Sequence, residues 1–122
     1  MPMTLSHCFL YVLDQDEALR FYTEGLGLEV RTDVRMGDYR WLTVGPPDQP
    51  DMELGLADIG PPLPPEDHAT VRELVAKGSM GAVIFAVDEA ISLHDIRGVT
   101  MRVVFRAIVE YGALIEYTHV AP

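Results

Sequence analysis

Apolar and polar positions change rhythm several times along the chain, and each change marks a boundary. "TLSHCFLYVL" (4–13) is rich in aromatic and β-branched residues and predicts a strand. Its parity places His7, Phe9 and Tyr11 on one face and Cys8, Leu10 and Val12 on the other. "DQDE" (14–17) has the form of a capping box, with Asp14 as N-cap and Glu17 three residues on. Ala18, Phe21 and Tyr22 then share one side of a helix of about ten residues that Gly25 or Gly27 ends.

"LEVRTDVRM" (28–36) and "YRWLTVG" (39–45) predict two strands joined at Gly37-Asp38, and "GPPDQPD" (45–51) a loop. "MELGLA" (52–57) predicts a further strand, with Glu53 and Gly55 on one face and Met52, Leu54 and Leu56 on the other. The segment "IGPPLPPED" (59–67) holds four prolines in nine residues and reads as a linker. Val71, Leu74 and Val75 mark a short helix that Gly78 stops, so 59–79 forms a linker and helix between two halves. "GAVIFAVDEA" (81–90) repeats the opening theme of an apolar strand closed by acids, and residues 99–120 are strand-forming with a break at Tyr111-Gly112.

Length and composition then set limits. A chain of 122 residues has the size of a single domain, 1–122. The net charge of −10 disfavours nucleic acid and anionic membranes as partners. No stretch approaches the roughly 20 apolar residues of a membrane span, and the opening residues lack a signal-peptide plan, so a cytoplasmic protein is expected. Cys8 is the one cysteine, which excludes an intrachain disulfide; its apolar setting predicts a buried, inert thiol.

Local motifs are few. There is no glycine-rich phosphate loop, no His-Glu-x-x-His helix and no Gly-x-Ser-x-Gly elbow. Asp14, Asp16 and Glu17 fit a solvated helix start better than a carboxylate site. His68 and His94 read as surface residues, and His119 lies close to the last residue. His7 differs, since an imidazole inside an apolar strand needs a partner. Glu53 in "DMELGL" and Glu116 in "GALIEYT" share that predicament. One imidazole and two carboxylates on three strands suit a divalent ion, or else a sheet face open to water.

"HCFLYVLDQDEALRFYTEGLGLEVRTDV" resembles the opening module of the glyoxalase / bleomycin-resistance / extradiol-dioxygenase superfamily, also called the vicinal oxygen chelate superfamily. The resemblance covers residues 4–58; "VRELVAKGSMGAVIFAVDEA" resembles the linker helix and second-module start, and "GALIEYT" the family's last strand. It implies an α+β fold in which paired βαβββ modules form a cupped mixed sheet with helices on its convex side. The first module spans 4–58 and a shortened second module 80–122, which lacks the family's "D-P-x-G-N" hairpin.

The family's metalloenzymes draw ligands from the first and last strand of each module. Carried over, these points are His7, Glu53, a position near Ala82 and Glu116. Ala82 stands where the metal enzymes have a histidine, and His119 falls on the face of its strand opposite Glu116. The resemblance implies a metal-dependent lyase, isomerase or dioxygenase acting on a small molecule with vicinal oxygens. Ni, Co, Mn, Fe or Zn would be held by His7, Glu53 and Glu116, with Glu53 or Glu116 doubling as the base. The alternative is a metal-free, bleomycin-resistance-like protein that sequesters a cationic or aromatic compound, with Phe9, Tyr11 and Trp41 lining the pocket. Either reading implies a homodimer, with strand exchange as one way to complete the cup.

Overall fold

The alternation in the first strand divides the molecule into a packed face and an open one. The computed structural model describes residues 1–77, 79–80, 83–87, 101–108 and 112–119. Strand β1 (His7–Tyr11) is followed by helix α1 (Gln15–Arg20), a wider π-helical turn (Phe21–Gly25), and strands β2 (Glu29–Met36), β3 (Tyr39–Gly45) and β4 (Glu53–Ala57). These four strands form one mixed sheet in the order β1-β4-β3-β2. β1 runs parallel to β4, while β3 is antiparallel to both β2 and β4.

Helix α1 starts where its cap residue puts it. Asp14 has extended backbone and its side chain accepts a hydrogen bond from the Glu17 N–H at 2.9 Å. Gln15 donates to the Leu56 carbonyl at 2.9 Å and to that of Arg40 at 3.3 Å, which hooks the helix start onto β4 and β3. Arg40 extends the attachment: its guanidinium binds Asp33 of β2 through two 2.9 Å contacts and Asp16 of α1 at 2.7 Å. The helix widens at its end, where Leu26 N–H reaches the Phe21 carbonyl at 3.0 Å; Gly27, at φ 79°, then turns the chain back into the sheet.

Ala18, Phe21 and Tyr22 pack on Leu10, Val12, Leu42, Val44, Leu54 and Leu56, so α1 covers one face of the sheet with a continuous apolar core. At about 25 cal/mol per Å² of apolar surface removed from water, this packing is the main stabilising term for the first half.

After a single 3₁₀ turn at Pro65–Asp67 comes helix α2 (His68–Ala76), which buries Val75. Strands β5 (Val83–Val87), β6 (Met101–Ile108) and β7 (Gly112–His119) form a three-stranded antiparallel sheet in the order β5-β7-β6. Val83 and Phe85 lean on the core of the first half. The described residues after α2 thus contribute three strands, and 101–108 serves as one strand.

Three expectations need correction. The first strand begins at His7 and not at residue 4, because its last rung is the Glu53 N–H to Ser6 carbonyl bond at 2.8 Å, at the start of β4. Cys8 is exposed, not buried: Leu10 and Val12 reach the helix, while Cys8 sits near the start of a strand whose only described neighbour is β4. His68 is half-buried, and its Nε2 lies 2.8 Å from the Leu63 carbonyl. No helix among the described residues is long and apolar enough to cross a membrane.

Candidate functional site

The face of the sheet opposite α1 carries the chemistry. Parallel register sets His7 beside Glu53, Phe9 beside Gly55 and Tyr11 beside Ala57. Antiparallel register brings Thr43 beside Gly55 and Thr32, and Trp41 beside Val34. Residues paired across a sheet share a face, so these side chains converge.

At one end lies a polar group. His7 Nε2 is 3.0 Å from Glu53 Oε2, and His7 Nδ1 is 2.8 Å from Ser6 Oγ. Glu53 Oε1 accepts from Thr43 Oγ1 at 2.7 Å and from Thr32 Oγ1 at 3.2 Å. Both carboxylate oxygens therefore have partners. The Thr43 hydroxyl, then those of Thr32 and the His7 ring, hold the Glu53 carboxyl below its ordinary pKa against the opposing pull of desolvation. Glu53 is thus ionised at neutral pH and weakly basic.

The rest of the face is aromatic. Phe9 and Trp41 meet edge to face with centroids 5.1 Å apart. The His7 ring lies 6.4 Å from Phe9, nearly parallel to it, and 6.0 Å from Trp41. Phe9 lies against Gly55: a Cβ there would collide with its Cδ1 and Cε1, so the close approach requires glycine. Phe9, Tyr11, Tyr39 and Trp41 line a cleft of about 370 Å³ with Asp58 and the prolines Pro61 and Pro62 at its edge. That volume lies within the usual range for small-molecule sites.

The structure brings together His7, Glu53, Phe9 and Tyr11, read from strand parity, and Trp41, read as a stacking surface. Glu116 occupies a central position of β7, opposite Ile84 and Val104, and its side chain lies outside the described residues, as does Ala82. Sequence reasoning missed Thr32 and Thr43 as the partners of Glu53; parity alone would have found Thr43, two positions from Trp41 on the same strand. It also missed Gly55 and Asp58, whose roles depend on which rings lie over them.

His7 and Glu53 fit two positions of a metal site. Donors bound side by side at about 2.1 Å from one ion would stand roughly 3 Å apart, as these do. Among the described residues no third histidine, cysteine or carboxylate joins them.

Comparison with known proteins gives the family. Residues 4–96 match the model of the Glyoxalase/Bleomycin resistance protein/Dioxygenase superfamily. The chain belongs to that superfamily. The chain is 44% identical over 69 residues to the uncharacterized protein YurT of Bacillus subtilis (strain 168), a match covering 56% of this chain and 49% of that protein. It thus spans about half the length of that curated relative. The crystal structure of UcmS2 is similar at 53% identity and TM-score 0.59, over 64% of this chain and 59% of that one. TnmS3, an antibiotic binding protein from Streptomyces sp. CB03234, aligns over 92% of each chain at 20% identity and TM-score 0.45.

Proposed function

We propose that this superfamily member is a small-molecule binding protein whose open sheet face takes a planar, cationic aromatic compound. The observation that carries the reading is the cleft between Phe9, Tyr11, Tyr39 and Trp41. Phe9 is 53% exposed although it has an aromatic partner, so its ring offers a face to a ligand rather than to the core. Flat rings set at steep angles to one another clamp a planar guest by stacking on one and meeting the edge of another. Asp58 is the charged side chain among the described lining residues, and the net charge of −10 attracts a cation to the cleft.

The state of Glu53 supports binding over base catalysis. A general base works best with a pKa near the operating pH, and here three donors move the carboxyl the other way. The Glu53–Thr43–Thr32–His7 group acts as a fixed polar end beside the aromatic cleft.

Trp41 is the only tryptophan, so its fluorescence reports on the cleft directly. N-methylquinolinium is expected to quench it saturably, with a matching heat in calorimetry. Tyr39→Ala and Phe9→Ala each weaken binding by about tenfold, the worth of one stacking contact. Absence of saturable quenching would refute the reading.

A second reading is favoured by the 3.0 Å spacing of His7 Nε2 and Glu53 Oε2: a divalent-metal lyase, isomerase or dioxygenase in which these two and Glu116 hold the ion. The ion would polarise vicinal substrate oxygens. Elemental analysis after loading with Ni, Co, Mn, Fe or Zn tests it. Near-stoichiometric metal that Glu53→Ala abolishes supports it, and metal-free protein under every loading refutes it.

A further inference from the structure

Phe9 borders two cavities. On one side it meets the aromatic cleft with Tyr39 and Trp41. On the other it borders a separate space of about 430 Å³, walled by Leu10, Leu28, Met52, Leu54, Val83 and Phe85. Leu5 and Cys8, both exposed, stand at its open side. We propose that this second cavity is a subsite for an unbranched aliphatic chain, and that one ligand spans both, its aromatic head against Trp41 and its chain passing Phe9. The head-group part rests on the binding function proposed above.

The chemistry of the walls selects the occupant. No charged side chain is among the described residues lining the second cavity; Pro46 and Gln49 also line it, their carbonyls bound by Arg31 at 2.6 and 3.3 Å, which leaves the Gln49 amide as the polar side chain on the described wall. A guest would find dispersion contacts and few free hydrogen-bonding partners, which favours methylene groups over polar ones. The size also fits. An apolar cavity of roughly 150 Å³ holds benzene, so a space nearly three times as large accepts a chain of about eight carbons. Leu10, Leu28 and Leu54 are buried and form a floor, while the exposed Leu5 and Cys8 leave an entrance.

Phe9 is the wall shared by the two spaces. Its ring sits on the bare Cα of Gly55 and touches Trp41 by an edge, and half of its surface is open. A ligand that spans both cavities therefore passes Phe9, the residue common to their walls.

The chain provides one native reporter for each cavity. Trp41 reads the cleft, and Cys8, the only cysteine, reads the second cavity through its rate of reaction with Ellman's reagent. Three probes would be compared below their micelle concentrations: N-methylquinolinium, N-octylquinolinium and octyltrimethylammonium. N-methylquinolinium is expected to quench Trp41 and leave the Cys8 rate unchanged. N-octylquinolinium should bind about tenfold tighter or more, because each buried methylene adds affinity, and should slow Cys8 severalfold at saturation. In Cys8→Phe, which fills the second cavity from an exposed position, the gain from the longer chain is lost while N-methylquinolinium binds as before.

The proposal is overturned if N-octylquinolinium saturates Trp41 with no gain in affinity and no protection of Cys8, or if Cys8→Phe keeps the gain. If N-methylquinolinium leaves Trp41 untouched, the head-group reading fails by itself. Octyltrimethylammonium then decides the chain subsite: slowing of Cys8 supports it, and an unchanged rate refutes it.

Discussion

Thr43→Val isolates the hydrogen bond that fixes the polar end of the open face. Thr43 is fully buried, and its hydroxyl donates to Glu53 Oε1 at 2.7 Å, the shortest of the contacts around that carboxylate. Valine keeps the shape of the side chain and removes only the donor. Thr32, at 3.2 Å, remains as the one partner of Oε1. A hydrogen bond to a charged group contributes about 1.5–3 kcal/mol, and the lower end applies because water still reaches part of Glu53.

The cost should depend on pH, and the sign follows from the carboxyl. Glu53 has its folded pKa lowered, so the stability it contributes is present above the unfolded value of about 4.3 and is lost as pH falls through the folded one. Thr43→Val raises the folded pKa back toward the ordinary value. The expected loss is therefore about 1.5 kcal/mol at pH 7 in urea denaturation and shrinks toward zero near pH 3. Carboxyl-carbon NMR should show the Glu53 titration move upward. Thr43→Ser is the control: it keeps the hydroxyl, loses a buried methyl, and costs about 1 kcal/mol at both pH values. An equal cost of Thr43→Val at pH 7 and pH 3, or an unmoved Glu53 titration, would refute this account.

Gly55→Ala should leave stability within about 1 kcal/mol, since lost chain entropy in the unfolded state offsets the displaced ring. The new Cβ nonetheless drives Phe9 off the sheet, so ligand-induced quenching of Trp41 should fall at least tenfold in affinity. Arg40→Leu should cost about 1–2 kcal/mol through the charge-assisted bonds to Asp33. Hydrogen bonds and charge from Arg40 lower the pKa of Asp33 and Asp16, so this penalty, read by urea denaturation, is present above the unfolded value of about 3.9 and fades as pH falls through the folded values. Asp14→Ala removes the cap that holds the Glu17 N–H and should destabilise by about 1 kcal/mol in thermal melts at neutral pH.

Where one side of an element is buried, the letters state it. Leu10, Val12, Leu54 and Leu56 could be assigned to one face because a strand with one covered face must alternate, and a one-residue slip would expose every one of them. Asp14 and Gly27 were legible for a similar reason: each meets a local backbone need that few residues satisfy. Cys8 was misread because the same alternation says nothing about where a neighbouring strand begins, and the covering by α1 stops at Leu10. The partners of Glu53 are a matter of register between strands far apart in sequence. Thr43 reaches it through the pairing of β3 with β4, and Thr32 through a bulge between Val30 and Thr32 that sets β2 against β3.

The bulge also connects the two ends of the site. It puts Arg31 out of the ladder, where its guanidinium packs against Gly45 and binds the carbonyls of Pro46 and Gln49. Arg31 thereby fixes the loop that walls the second cavity, while the residue after it, Thr32, completes the shell of Glu53. One extra residue in β2 thus sets both the polar end of the aromatic cleft and the rim of the apolar cavity. A catalytic carboxylate gains from freedom to take up and release a proton. A recognition surface gains from side chains that are already committed, since order paid for at folding is not paid again on binding. Glu53, with both oxygens engaged, and Phe9, seated on a glycine beside Trp41, are committed in this sense, which is what the proposed binding role asks of the polar and aromatic halves of the face.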